Sequence, residues 1–142
     1  MQISDSPHTI LSLDIGDARI GVARANSLAK LPEPLEVIDL KTTDAYVRIA
    51  EIVSINDVRH IVVGLPVLAS GDDSLQTKKV RDFTTQLTQK ISLPVSFVNE
   101  SFSSVYADTY LKDKKWHGQQ SNDALAACVL LQRYFDEGGQ DV

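Results

Sequence analysis

The sequence predicts an α/β domain built on a five-stranded mixed sheet that is flanked by helices. Two observations carry this prediction: three strand-like segments come first, the first two joined by a short turn, and the segments that follow alternate between helix and strand patterns. Hairpins make neighbouring strands antiparallel, whereas helical crossovers make them parallel, so the two halves together give a mixed sheet. We expect one domain over residues 1–142, a length that allows one sizeable core.

The first half of the chain is predicted to form three strands and one helix. Thr9–Ile15 alternates apolar and polar residues, and residues 19–25 follow after a connection short enough for a hairpin. Residues 35–40 form a third, short strand beyond a loop that contains prolines. The sequence Thr-Thr-Asp at residues 42–44 then supplies N-caps for a helix.

The second half is predicted to alternate between strands and helices. Residues 60–64 are a β-branched run that suits a strand buried on both faces, and Leu75–Lys90 suits a long amphipathic helix. Residues 94–98 form the fifth strand, and residues 103–111 and 123–135 form two further helices. This element order is also that of the ribonuclease H-like fold, although the pattern alone does not single that fold out.

Composition excludes several classes of protein. The formal net charge of −5 and the pI near 5.0 disfavour non-specific adhesion to nucleic acid or to anionic membrane, so a polyanion must dock locally or through cations. The single cysteine, Cys128, forms no internal disulfide and suits a small core position, and the three histidines lack zinc-ligand spacing. No apolar run is long enough to span a membrane, and the first residues lack a signal-peptide pattern. We therefore expect a cytoplasmic protein.

Three acidic residues fall at the ends of predicted elements. Asp14 lies near the end of the first strand, Glu100 follows the fifth strand, and Asp123 begins the last helix. Neighbouring strand ends lie side by side, so these carboxylates would converge and stay ionised only beside a hard cation such as Mg²⁺ or Mn²⁺. One or two such ions would activate water and stabilise the leaving oxygen of a phosphodiester.

Each of these residues also has a purely structural explanation. Asp14 can form a turn beside Gly16, Glu100 can cap the following segment, and Asp123 can complement the positive end of a helix. Their coincidence at positions that this strand order brings together favours a common site. Gly64, which precedes Leu65 and Pro66, is expected to permit close backbone approach at a strand end.

The same residues carry a resemblance to a known family. Residues 13–23, Leu-Asp-Ile-Gly-Asp-Ala-Arg-Ile-Gly-Val-Ala, resemble the opening motif of the YqgF (RuvX) family of RuvC-like nucleases. Residues 61–66, Ile-Val-Val-Gly-Leu-Pro, with the later Arg-Asp-Phe at 81–83, resemble its second motif. Residues 99–104 and 123–127 occupy its third and fourth motifs, so the resemblance spans about residues 10–135.

The resemblance implies a metal-dependent nuclease with a ribonuclease H-like fold. Its acidic positions fall on Asp14, Glu100 and Asp123, which are then the catalytic residues and the ligands of Mg²⁺ or Mn²⁺. The implied substrate is nucleic acid, either pre-16S ribosomal RNA during ribosome biogenesis or branched DNA, with the ribosome as a further partner. The implied assembly is a monomer or a homodimer that is not attached to a membrane.

Candidate substrate-binding residues are basic. Arg19 and Arg81 lie within the resembling motifs, and Lys114 and Lys115 belong to the densest basic stretch, which also contains Trp116. That stretch equally suits a solvated helix end.

Two departures from the family pattern bear on substrate binding. Asn99 and Ser101 stand where the family has an acid and an arginine, and residues 118–122, Gly-Gln-Gln-Ser-Asn, replace a lysine-rich approach to the last aspartate. Lost cationic contacts weaken phosphate binding. A non-catalytic module that binds nucleic acid or the ribosome is therefore the alternative hypothesis.

A third hypothesis comes from another class. The turn from Asp14 to Gly16 also resembles the phosphate-binding turn of actin-like and sugar-kinase ATPases. Those proteins bind nucleotide between two copies of the domain, and 142 residues leave no room for a second copy.

Overall fold

The computed structural model describes residues 6–68, 70–100 and 122–142, and it is built around one sheet. The strands are β1 (Thr9–Ile15), β2 (Arg19–Asn26), β3 (Glu33–Asp39), β4 (Val58–Leu65), β5 (Val95–Asn99) and β6 (Gln140–Asp141). The helices are α1 (Ala45–Asn56), α2 (Leu75–Lys90) and α3 (Asn122–Glu137). The predicted helix at residues 103–111 lies outside the described residues. None of the described helices is long and apolar enough to cross a bilayer.

The sheet is mixed, as predicted, and its strand order is β3-β2-β1-β4-β5-β6. Strands β1, β2 and β3 pair antiparallel, and β4 lies parallel to both β1 and β5. The prediction of five strands was short by one, because β6 pairs antiparallel with β5 at the sheet edge. A strand of two residues has no alternation for a sequence pattern to show.

The two faces of the sheet bury different sets of side chains. On β1, Leu11 and Leu13 belong to a large apolar core that includes Ile49 of α1 and Val80 of α2. The intervening residues point to the other face, where Ile10 packs in a cluster with Leu131 of α3. Alternation along β1 therefore places Ser12 and Asp14 on the α3 face of the sheet.

Small residues let α3 approach the sheet closely. A methyl group at Gly21 of β2 would overlap the backbone carbonyl of Asp123, so only glycine fits there. Further along α3, Ser12 Oγ donates a hydrogen bond of 2.7 Å to the carbonyl oxygen of Ala127. Cys128 is fully buried beside Ala23, as predicted. The first turn of α3 is thus fixed on β2, directly across from β1.

The start of α2 is fixed to the end of β4. Ser74 and Thr77 form a capping box, in which each side chain accepts from the other residue's backbone N–H. The Thr77 hydroxyl also donates to the carbonyl oxygen of Pro66. These bonds hold the chain that leaves β4 at the end of the sheet where β1 also ends.

Candidate active site

Asp14 lies on the α3 face near the carboxyl end of β1. Its cross-strand partner on β2 is Gly21, the residue on which the backbone of Asp123 rests. Neighbours directly opposite in an antiparallel pair share a face of the sheet. The first turn of α3 therefore lies beside the Asp14 side chain.

Glu100 reaches the same place from the end of β5. Its backbone N–H donates to the carbonyl oxygen of Leu65, which extends the pairing of β4 and β5. The residue before Leu65 is Gly64, where a methyl group would lie 3.1 Å from Glu100 Oε2 and would overlap the Leu130 side chain. We expected Gly64 to permit a close approach of backbone; its missing side chain instead leaves space for the side chains of Leu130 and Glu100.

The Asp14 and Glu100 carboxyl groups are hydrogen-bonded to each other, with Glu100 as the donor. Burial, the Asp14 charge and this hydrogen bond raise the pKa of Glu100 to about 8. Burial also raises the pKa of Asp14; its bond to Glu100 opposes the rise, and the nearby charge of Asp123 adds to it. Two carboxyl groups in such contact titrate as a pair, and one proton relieves their repulsion.

Asp123 lies close to this pair but is held by a different partner. Its Oδ2 accepts a hydrogen bond of 2.7 Å from Nε of Arg19, the first residue of β2. The Arg19 side chain is 57% exposed, so its remaining N–H groups face solvent at the mouth of the site. We call Asp14, Glu100 and Asp123 the carboxylate site.

The donor set of the carboxylate site suits a hard divalent cation. Six carboxylate oxygens come from three separate elements, and Mg²⁺ and Mn²⁺ prefer such ligands. Within residues 6–68, 70–100 and 122–142, no three acidic, histidine or cysteine side chains converge closely enough to hold an ion as they stand. In this arrangement, a proton on Glu100 and the guanidinium of Arg19 balance the charge of the three carboxyl groups.

Arg81, another predicted substrate-binding residue, has its own partners away from the carboxylate site. Arg81 makes two hydrogen bonds of 3.0 and 3.3 Å to the carboxylate of Asp73 and stacks over Phe97 at 5.6 Å. It lines a separate cavity of about 430 Å³ that also includes Asn99, the residue before Glu100. Lys114 and Lys115 lie outside the described residues, as does Ser101.

Sequence reasoning missed two features of the site. Arg19 was expected to contact phosphate, but its pairing with Asp123 was not foreseen because the two residues are 104 positions apart. The role of Gly21 was also missed. A glycine inside a strand often marks a close approach of backbone, and this signal was present in the sequence.

Comparison with known proteins decides the family. The family model described as "RuvX: Holliday junction resolvase" matches residues 8–137. The chain belongs to the RuvX family. A relative from Fusobacterium nucleatum subsp. nucleatum is 40% identical over 131 residues, 89% of this chain and 95% of its own. A relative from Burkholderia vietnamiensis is 36% identical over 133 residues, 91% and 89% of the two chains. Both are named "Putative pre-16S rRNA nuclease".

Solved structures of RuvC from Thermus thermophilus share the fold of this RuvX chain. The one in complex with a Holliday junction substrate aligns with a TM-score of 0.60 over 95% of this chain and 99% of its own, at 12% identity. A second RuvC structure from the same organism aligns with a TM-score of 0.61. The likeness confirms the predicted ribonuclease H-like sheet with flanking helices.

Proposed function

We propose that this RuvX chain is a metal-dependent nuclease that hydrolyses phosphodiester bonds of nucleic acid at the carboxylate site. The observation that carries the proposal is the pairing of Asp14 and Glu100 in a largely buried position, where the pKa of both groups is raised. Carboxyl groups with perturbed pKa values cluster at functional sites, and two of them in contact favour a site that takes a cation.

Asp14, Glu100 and Asp123 would hold one or two Mg²⁺ or Mn²⁺ ions. The ions supply the positive charge that lowers the pKa of a water molecule and stabilises the departing oxygen. The chain's own contribution is to fix the carboxylates. The pairing of β1 with β2 fixes Asp14, and a backbone hydrogen bond to Leu65 fixes Glu100. Close packing of the Asp123 backbone on Gly21 fixes Asp123. Rigid strands and a helix end hold a site more precisely than loops do.

Arg19 would have two tasks at this site. It neutralises Asp123 before ions bind, and its exposed guanidinium then contacts a phosphate of the substrate. A guanidinium is suited to phosphate because it offers several N–H donors in one plane.

The proposed substrate is the 5′ region of pre-16S ribosomal RNA during ribosome biogenesis, or branched DNA. Two lines of support are the names of the curated relatives, for the RNA, and the name of the matching family, for the DNA junction. We propose that the chain works in the cytoplasm, as a monomer or homodimer, with nucleic acid and the ribosome as its partners.

A cleavage assay tests the proposal. Purified protein would be incubated with Mg²⁺ or Mn²⁺ and either a pre-16S RNA fragment or a four-way DNA junction, beside the Asp14→Asn variant. We expect cleavage of one substrate by the wild type and none by the variant, whose fold is retained because Asn keeps the shape of Asp. Cleavage of neither substrate, or equal cleavage by the variant, would contradict the proposal.

A second candidate function is binding without hydrolysis, and one observation favours it. The ion pair between Arg19 and Asp123 occupies the third carboxylate, and Asn99 stands where the family has an acid. Calorimetric titration with Mn²⁺ separates the two functions. Saturable Mn²⁺ binding that Asp14→Asn abolishes supports the nuclease, whereas no binding by the wild type supports the binding module.

A further inference from the structure

A second concave site lies at the opposite end of α3 from the carboxylate site. It is a cavity of about 660 Å³ beside the amino end of β1, and Ile10, His60, Tyr134 and Phe135 line it. We call it the basic cavity. Asp123 and Tyr134 are eleven residues apart on α3, so the two sites are separated by about 16 Å along the helix axis.

The charge of the basic cavity is opposite to that of the whole chain. Its lining includes Lys30, Arg59, His8 and His60, and no aspartate or glutamate of the described residues lines it. This is unexpected in a chain with 19 acidic residues against 14 lysines and arginines. Asp57 pairs with Arg59 at 3.5 Å, but both side chains are more than half exposed, so the pair is weak and a bound anion can compete with it.

The aromatic wall of the basic cavity is held in place by its neighbours. The Tyr134 ring packs edge-on against His60 at 5.4 Å and lies 5.9 Å from Phe135. The Tyr134 hydroxyl lies 3.4 Å from His60 Nδ1, and His60 Nε2 lies 2.9 Å from the buried Ser96 hydroxyl. Burial lowers the pKa of His60 against the opposing effect of the Asp141 charge, and Lys30 and Arg59 supply positive charge to the wall.

The rim of the basic cavity is also ordered. The backbone N–H of His8 donates to Ser27 Oγ at 3.0 Å, and the backbone N–H of Ser27 donates to the His8 carbonyl oxygen at 2.8 Å. Lys30 has a positive φ of 54°, and its N–H donates to the Asn26 carbonyl oxygen. Lys30 therefore projects from a hydrogen-bonded turn, and Arg59 projects from β4.

We propose that the basic cavity binds a nucleoside phosphate, with the base against Tyr134 and Phe135 and the phosphate between Lys30 and Arg59. Aromatic rings bind a base by its flat face, and paired cations bind a phosphate through charge-assisted hydrogen bonds. A volume of about 660 Å³ lies within the range of small-molecule sites. The ligand is either a free nucleotide or one nucleotide of a single strand whose other part reaches the carboxylate site.

Calorimetry with adenosine 5′-monophosphate in EDTA tests this proposal. Chelation removes the divalent ions through which the carboxylate site would hold phosphate, so the result is independent of the proposed hydrolysis. We expect a dissociation constant of about 1 mM or tighter, much weaker binding of adenosine or inorganic phosphate alone, and an unchanged constant in Asp14→Asn.

Charge variants locate the ligand. Lys30→Asn keeps a residue that tolerates positive φ, and Arg59→Gln removes the charge but keeps a polar side chain. Each should weaken binding of the monophosphate about five- to tenfold, as expected for one charge-assisted contact. Lys78→Gln, at an exposed lysine on α2, is the matched control and should leave binding unchanged.

A single-stranded hexa-adenylate distinguishes the two sources of the nucleotide. Binding more than about tenfold tighter than the monophosphate assigns the cavity to a strand of nucleic acid, and equal binding assigns it to a free nucleotide. The absence of saturable monophosphate binding would overturn the proposal. So would binding that Lys30→Asn and Arg59→Gln leave unchanged, or that Lys78→Gln weakens equally.

Discussion

The two ends of α3 present opposite electrostatic environments on one face of the same sheet. Near the first turn, Asp14 and Glu100 share a proton, and Asp123 is balanced by Arg19. At the last turn, the basic cavity gathers Lys30 and Arg59 beside two aromatic rings. The first end repels phosphate unless cations are bound, whereas the second attracts phosphate without them. In a chain of net charge −5, the placement of charges decides where a polyanion docks, and the total does not.

Removing one carboxylate should affect the carboxylate site and leave the basic cavity unchanged. Glu100→Gln should reduce cleavage by more than about 10²-fold, because a ligand of the catalytic ions is lost. Initial rates on the substrate that the wild type cleaves give the measurement. Nucleotide binding in the basic cavity should be unchanged. Asp17→Asn removes an exposed carboxylate that pairs with Lys79, and its rate should match the wild type.

Filling the contact between α3 and β2 should displace the carboxylate site as a whole. Gly21→Ala places a methyl group on the backbone of Asp123, which no side-chain rotation relieves. We expect the free energy of unfolding to fall by about 2–4 kcal/mol, measured by urea denaturation, together with loss of cleavage. Gly71→Ala is the control: that glycine has a φ of +88° and no atom within 4 Å of the added methyl group. Gly71→Ala should lower the free energy of unfolding by about 1 kcal/mol and should retain cleavage.

The proton between Asp14 and Glu100 predicts how stability depends on pH in EDTA. The pKa of Glu100 is raised from 4.5 to about 8, so between these values the folded chain keeps a proton that the unfolded chain has released. The free energy of unfolding should therefore fall as pH rises from 4.5 to 8, on the order of 1–3 kcal/mol. Urea denaturation across this range gives the measurement.

Glu100→Gln provides the check on that pH dependence. Since it removes the titrating group, its curve should be flatter and should lie above the wild type at pH 8. A wild-type curve that falls no more steeply than the Glu100→Gln curve between pH 4.5 and 8 would contradict the raised pKa of Glu100.

Arg19 should have the smallest effect of these variants. Arg19→Gln removes a cation that competes with a metal ion for Asp123, so Mn²⁺ should bind about two- to fivefold more tightly. The Michaelis constant for nucleic acid should rise, because a phosphate contact is lost. Arg24→Gln is the control on the same strand: Arg24 pairs with Glu33, on β3. Weaker Mn²⁺ binding in Arg19→Gln would show that Arg19 supports the ion site.

Much of the fold was predictable because its signals are local. The alternation of Thr9–Ile15, the β-branched run before Gly64 and the amphipathic pattern of Leu75–Lys90 each specify an element from within one segment. The observed strand boundaries differ from the predicted ones by a few residues. Strand β3 begins at Glu33 and β4 at Val58, because pairing with neighbouring strands extends both. The two residues of β6 form a strand only because β5 lies beside them.

The sequence by itself determined most of the described elements, the family and the three acidic positions that match its motifs, because periodicity and motifs are properties of neighbouring residues. Only the tertiary structure decided that Glu100 donates to Asp14, that Asp123 pairs with Arg19, and that basic groups gather at the far end of α3. These contacts join residues far apart in the chain, and their energies depend on burial and on distances of a few ångströms. Such distances exist only once the sheet and α3 have packed together.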